Sequence, residues 1–455
     1  MSLAEHRTFT ESLEKTKLSA SIVWALVAAL MAVSLTAAAF CSYRAFLPLE
    51  IDPNEAWNAW QSQSLAHLYP EADALTINNY PPLYFYLLHA FSWLGAEEIY
   101  AGRALSLAAS LTLTFIVYRT IIILGAARVP ASAGAAWFLA TLAGTYTGYV
   151  GMNDPHLLGL TVMGAGFAWF VARARDGQGT EPAFLVMVLA GFIKHSLIAL
   201  PASALIWLAL DRPREAVRTA AFGLAAAGAG LLACRLAYGP AFFEQIMMPR
   251  AVGWNNLHFA WGYAKPLAGA AALCLVWLNL DYRSRHVRSR RAQKMAALLA
   301  ITFASGFVQS LGDGLDVNAY FEFLFALAIG VGLMLSRVEN GPTCITLPFA
   351  CTLLATLALT ARAEPYRFLL SRDFRQETSE NASAVRSEVS RIRKIPGPVS
   401  CSVMLVCYWA GKPFAWDDFA MRQRVATGRW TEAGMKRQAQ LAGIRFETID
   451  DRTVW

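Results

Sequence analysis

Residues 19–41 read SASIVWALVAALMAVSLTAAAFC. Twenty-three residues pass without one charged side chain. As a helix, that length crosses the ~30 Å hydrocarbon core of a bilayer. The run is too long and apolar for a cleaved signal peptide, and no clean small-residue cleavage site follows it. Further apolar runs lie at 101–124, 130–151, 156–172, 182–193, 196–210, 217–238, 263–280, 295–311, 320–336 and 343–361, which makes eleven expected spans. Two of them, 182–193 and 196–210, are short and read as tilted or half-depth helices meeting at Lys194-His195. Composition agrees: of 455 residues, 56% are hydrophobic and only 16% charged, where a soluble domain carries about 25% charged. That balance excludes a disordered chain, a collagen-like chain and an ordinary cytosolic enzyme.

The basic residues orient the spans. With the N-terminus in the cytoplasm, seventeen Lys and Arg fall in inner segments and six in outer ones before residue 362. The basic run Asp281–Lys294 is then a cytoplasmic topology anchor, and the net charge of +7 needs no nucleic-acid partner. An odd number of spans leaves the C-terminus outside. Three outer pieces are long: residues 42–100, 239–262 and 362–455. The cytoplasmic loops are short, so any chemistry belongs to the outer face.

The first outer loop begins Leu49-Glu50-Ile51-Asp52-Pro53-Asn54-Glu55-Ala56-Trp57-Asn58-Ala59-Trp60. From Glu55 the spacing is helical and sets Trp57 and Trp60 on one side, as in a helix lying at a membrane interface. The acids are either a solvated loop or a carboxylate held at the water–lipid boundary as a general base. Asn78-Asn79-Tyr80-Pro81-Pro82 then halts one helix and starts another. In Gly151-Met152-Asn153-Asp154-Pro155-His156, Asp154 reads as a helix N-cap before Pro155, or as a catalytic or metal-coordinating acid. Lys194 interrupts an apolar stretch, at a cost of about 2.5–3.5 kcal/mol at membrane depth. It either snorkels to the interface or serves a ligand. Arg103 and Arg250 add positive charge on the same side, and three outward cations suit a buried phosphate. The last outer turn, Gly312–Glu322, offers Asn318 and Glu322; the latter is a membrane-edge acid or a substrate contact.

Residues 362–455 turn charged and read as a small α/β domain beside a transmembrane domain of residues 1–361. Helices are expected over 378–394, 417–428 and 431–441, with strands at 399–406 and 444–449. On a strand, Cys401 and Cys407 would stand about 20 Å apart, so they are expected to be buried thiols. Seven cysteines are no disulfide scaffold. The chain has no Walker sequence, dinucleotide fingerprint, zinc-type spacing or nucleophile elbow.

In this order, the motifs resemble the GT-C superfamily of integral-membrane glycosyltransferases, in its aminoarabinose transferase and protein O-mannosyltransferase branch. The matching positions are Asp52/Glu55, Tyr80–Tyr86, Ala101-Gly102-Arg103, Asp154 and Lys194, over about residues 20–340. The family's adjacent Asp-Glu is Asn54-Glu55 here, which favours Glu55 as base by register, with Asp52 next. Its Lys-Gly is Lys194-His195. The resemblance implies an all-α polytopic membrane protein of the bacterial inner membrane. It implies inverting transfer of a hexosyl or pentosyl group from a polyprenyl-phosphate sugar to a lipid or glycan acceptor. Glu55, Asp52 and Asp154 would be catalytic. Lys194, Arg250 and Arg103 would bind the donor phosphate, and Tyr80, His195, Asn318 and Glu322 the substrate. No nucleotide is needed, and the resemblance fixes no cofactor, with a divalent metal at Asp154 left open. A flippase of lipid-linked sugars competes with this reading, but should show paired halves with broken helices. A non-catalytic glycan-binding membrane protein of the same fold is the other rival.

Overall fold

The computed structural model describes residues 3–284, 290–339 and 343–455. Part of the expected topology anchor, residues 285–289, lies outside them. The chain starts with α1 (Leu3–Ala45). The loop expected to be the first outer one then folds into α2 (Asn54–Gln63) and α3 (Leu83–Trp93). There follow α4 (Glu98–Ile123), α5 (Arg128–Gly144), α6 (Pro155–Arg175), α7 (Glu181–Gly191), α8 (Ala199–Asp211) and α9 (Pro213–Tyr238). Two short helices, α10 (Ala241–Ile246) and α11 (Leu257–Ala264), occupy the next outer loop. The bundle is completed by α12 (Ala268–Ser284), α13 (Arg290–Gln309), α14 (Phe321–Val338) and α15 (Thr343–Thr360). Every expected apolar run overlaps a helical segment, but among the described residues seven segments, against eleven expected spans, are long and apolar enough to cross a membrane.

Two apolar helices show how the bundle is solvated. Both α14 and α9 are strongly hydrophobic, yet 94% of the apolar window in α14 is buried in protein against 11% in α9. A helix hydrophobic all round needs cover on every side. For α14 that cover is α5, α12 and α13. On α9, Val217, Leu224 and Leu236 stay exposed, which is stable only against lipid. The chain is thus an all-α polytopic membrane protein.

The C-terminal segment, called the outer segment after its expected side, holds α16 (Glu364–Leu370), α17 (Arg372–Arg393), β1 (Val399–Cys401), α18 (Met404–Trp409), α19 (Asp418–Ala426), α20 (Glu432–Leu441) and β2 (Arg445–Glu447). The two strands pair in parallel, Val399 opposite Arg445 and Cys401 opposite Glu447. A parallel pair needs a helical crossover, here α18 to α20. The expected strand over 399–406 therefore stops at Cys401, and the chain reverses into α18. That reversal corrects the expectation of free thiols: Cys401 and Cys407 come to a Cα separation of 5.8 Å and form a disulfide.

The outer segment and the first outer loop share one core. Leu49, Ala56 and Ile99 pack with Ile392, Leu405 and Val406. Glu50 pairs its backbone with Thr453 and Trp455, and its buried carboxylate accepts from Leu405 N at 2.7 Å.

Candidate active site

The loop after α1 is fixed from two sides. Arg103, wholly buried in the first turns of α4, donates to Glu55 through Nε (2.7 Å) and Nη2 (2.6 Å). It also donates to the carbonyls of Leu47 and Leu49, both at 2.6 Å. Glu55 further accepts from the amides of Ile51 (3.0 Å) and Asn153 (3.1 Å). Asn153 in turn takes the Tyr84 hydroxyl at 2.6 Å. This contact explains Gly102: a Cβ there would meet Asn153 Oδ1 at 1.8 Å. The network ties α2, α3, α4 and the start of α6 together, and it leaves Glu55 and Arg103 sealed away from ligand.

Above this knot lies a cavity of about 1220 Å³. It gathers Asp52, Tyr80, Lys194, His195, Arg250 and Asn318 from five separate stretches of chain. Asp52 is half-buried, and its Oδ1 accepts from Asn54 N at 2.8 Å. Burial pushes its carboxyl up to about 6; the Asn54 bond opposes this, and the charges of Asp154, Glu55 and Asp316 add to it. Lys194 stands in the turn between α7 and α8, with Nζ 3.5 Å from the centre of the Tyr80 ring. Arg250 lies over Phe419, Cζ at 5.3 Å from the ring centre. Among the described residues, neither cation is ion-paired with an acid.

Four sequence-predicted residues are absent from the cavity wall. Glu55 and Arg103 neutralise one another below it. Asp154 caps α6, its Oδ1 accepting from His156 N at 2.8 Å, so the N-cap reading describes it. Glu322 accepts from the amides of Ala199 (3.2 Å) and Leu200 (2.8 Å). It caps α8 from a neighbouring helix and lies off the cavity wall. Among the described residues no three His, Cys, Asp or Glu side chains converge on one point.

The cavity also has walls that sequence reading missed. The outer segment supplies Asp417, Asp418, Phe419 and Arg422, and α6 supplies His156. Asp417 accepts from Trp57 Nε1 at 3.0 Å and from Ala420 N at 2.9 Å. Burial raises its carboxyl to about 6, against those two bonds. In sequence, Asp417 signals only a helix N-cap; its place in the cavity comes from a contact 360 residues away. Part of the wall is apolar: Ile198, Ile246, Met248 and Val252.

No family model matches the sequence, and no curated protein matches it. Solved structures do. ArnT from Cupriavidus metallidurans bound to undecaprenyl phosphate superposes with a TM-score of 0.55 at 14% identity, over 89% of this chain and 88% of that one. Its apo state gives 0.57 at 12% identity over the same shares. The Archaeoglobus fulgidus oligosaccharyltransferase gives 0.42 at 12% identity, over 85% of this chain and 62% of that one. The two ArnT superpositions, each over nearly the whole of both chains, show that this chain shares the fold of ArnT.

Proposed function

We propose that the protein transfers a sugar from a polyprenyl-phosphate donor to an acceptor hydroxyl at the outer membrane face, with inversion. One observation carries this reading: Asp52 shares a cavity with two cations that have no acid partner, beside an apolar wall. The apolar side suits a polyprenyl chain, the cations its phosphate, and the carboxylate the acceptor. The solved ArnT complex with undecaprenyl phosphate supports that donor class.

Asp52 takes the acceptor hydroxyl proton as the acceptor oxygen bonds to the anomeric carbon. The bond from that carbon to the phosphate oxygen breaks, and the lipid phosphate leaves with its electron pair. A single displacement from the opposite face inverts the centre, and the transition state carries oxocarbenium character. Lys194 and Arg250 stabilise the charge growing on the phosphate, where low polarity strengthens them. Glu55 and Arg103 act as positioning residues that hold the Asp52 loop, and the base role moves from Glu55 to Asp52. His195 and Asn318 line the sugar and acceptor space. The outer segment, residues 362–455, closes the cavity as a lid-like domain over the transmembrane domain. Its disulfide suits an oxidising compartment, which favours an extracytoplasmic side and a cytoplasmic N-terminus.

The test is transfer from labelled undecaprenyl-phosphate sugars by purified protein in lipid nanodiscs. Wild type is expected to glycosylate a lipid or glycan acceptor, and Asp52→Asn to bind donor without transfer. Flux of the lipid-linked sugar with no glycosidic product would establish a flippase instead.

A further inference from the structure

We propose that Tyr80 and Phe419 are aromatic seats that hold Lys194 and Arg250 for an anionic ligand, so that the outer segment builds part of the phosphate site. The inference rests on the donor reading above. A buried cation needs a compensating partner. Arg103 shows the usual solution, with its donors taken up by Glu55 and backbone carbonyls. An aromatic face attracts a cation through its quadrupole without cancelling its charge. The ammonium protons of Lys194 that point away from the ring, and the guanidinium donors of Arg250, therefore stay available to phosphate oxygens. No side-chain hydrogen bond of either cation occurs among the described residues. A carboxylate in the same place would cancel the charge and compete with the phosphate.

Both seats are themselves held in place. Tyr80 meets the edge of Trp57 at 5.1 Å between ring centres. Its amide donates to Asn78 Oδ1 at 3.0 Å. Phe419 lies on Gly314, where a Cβ would come within 2.1 Å of the ring and where φ is +69°. Only glycine meets both demands. A single carboxylate links the two seats: Asp417 holds Trp57 behind Tyr80 and caps α19, which carries Phe419.

The experiment measures binding of undecaprenyl phosphate to the full-length protein in nanodiscs. Leucine keeps the bulk of a seat and removes the ring face. Tyr80→Leu and Phe419→Leu are each expected to weaken Kd about five- to tenfold. Tyr80→Phe and Phe419→Tyr should stay within about twofold, since both keep the ring face. In transfer assays the leucine variants should raise the donor KM more than they lower kcat. Leucine variants that bind like a wild type with measurable affinity overturn the seats alone, as do conservative variants that lose as much as leucine does. A wild type that binds no polyprenyl phosphate overturns the donor reading and the seats with it.

Discussion

Arg103 and Lys194 are both buried cations near the outer ends of apolar helical segments, exposed by 0% and 5%. Their surroundings differ. Arg103 faces a bidentate carboxylate and backbone carbonyls. Lys194 faces a tyrosine ring and open cavity. One charge is consumed in holding the chain together, and the other is the one proposed to meet a ligand. Equal burial thus says nothing about role; the partner decides it.

The largest expected effect probes the consumed pair. Glu55→Gln leaves the Arg103 guanidinium buried without its counter-charge, which costs about 3–5 kcal/mol. Thermal unfolding in nanodiscs should show a clear fall in midpoint, whereas Lys194→Met should leave it nearly unchanged. Equal losses in both variants would erase the distinction.

Next comes the carboxylate in the cavity. Asp52→Asn should cut transfer at least about 100-fold with little change in unfolding midpoint, the range of a lost general base. A stability loss comparable to that of Glu55→Gln would instead make Asp52 a second structural acid.

A smaller effect appears in the pH profile. A base works ionised, and the Asp52 carboxyl is raised to about 6. Transfer should therefore be flat above that pH and fall about tenfold per unit below it. A profile still flat at pH 5 would remove Asp52 from the proton transfer. The smallest effect belongs to Glu322→Ala, which uncaps α8 and should cost about 1–2 kcal/mol without shifting donor KM. A raised KM would return Glu322 to the substrate.

The sequence made the helices legible because lipid demands long uninterrupted apolar runs, and residues 19–41 meet that demand unaided. It also marked Lys194 and Arg250, because outward cations defy the usual charge bias. It could not separate Arg103 from them, since the pairing with Glu55 spans 48 positions and needs a folded loop. Register against the family motif favoured Glu55 over Asp52, yet burial reverses their accessibility. Phe419 and Asp417 carry no local sign of the cavity. Cys407 was misplaced because a strand was expected to run on to residue 406, where the chain in fact turns back after Cys401.

The most direct measurement is a structure of the protein with undecaprenyl phosphate bound. The account predicts the phosphate within hydrogen-bonding reach of both Lys194 Nζ and the Arg250 guanidinium, with Arg103 still locked on Glu55. A phosphate seated on Arg103, or lying outside the cavity that holds Asp52, would contradict it.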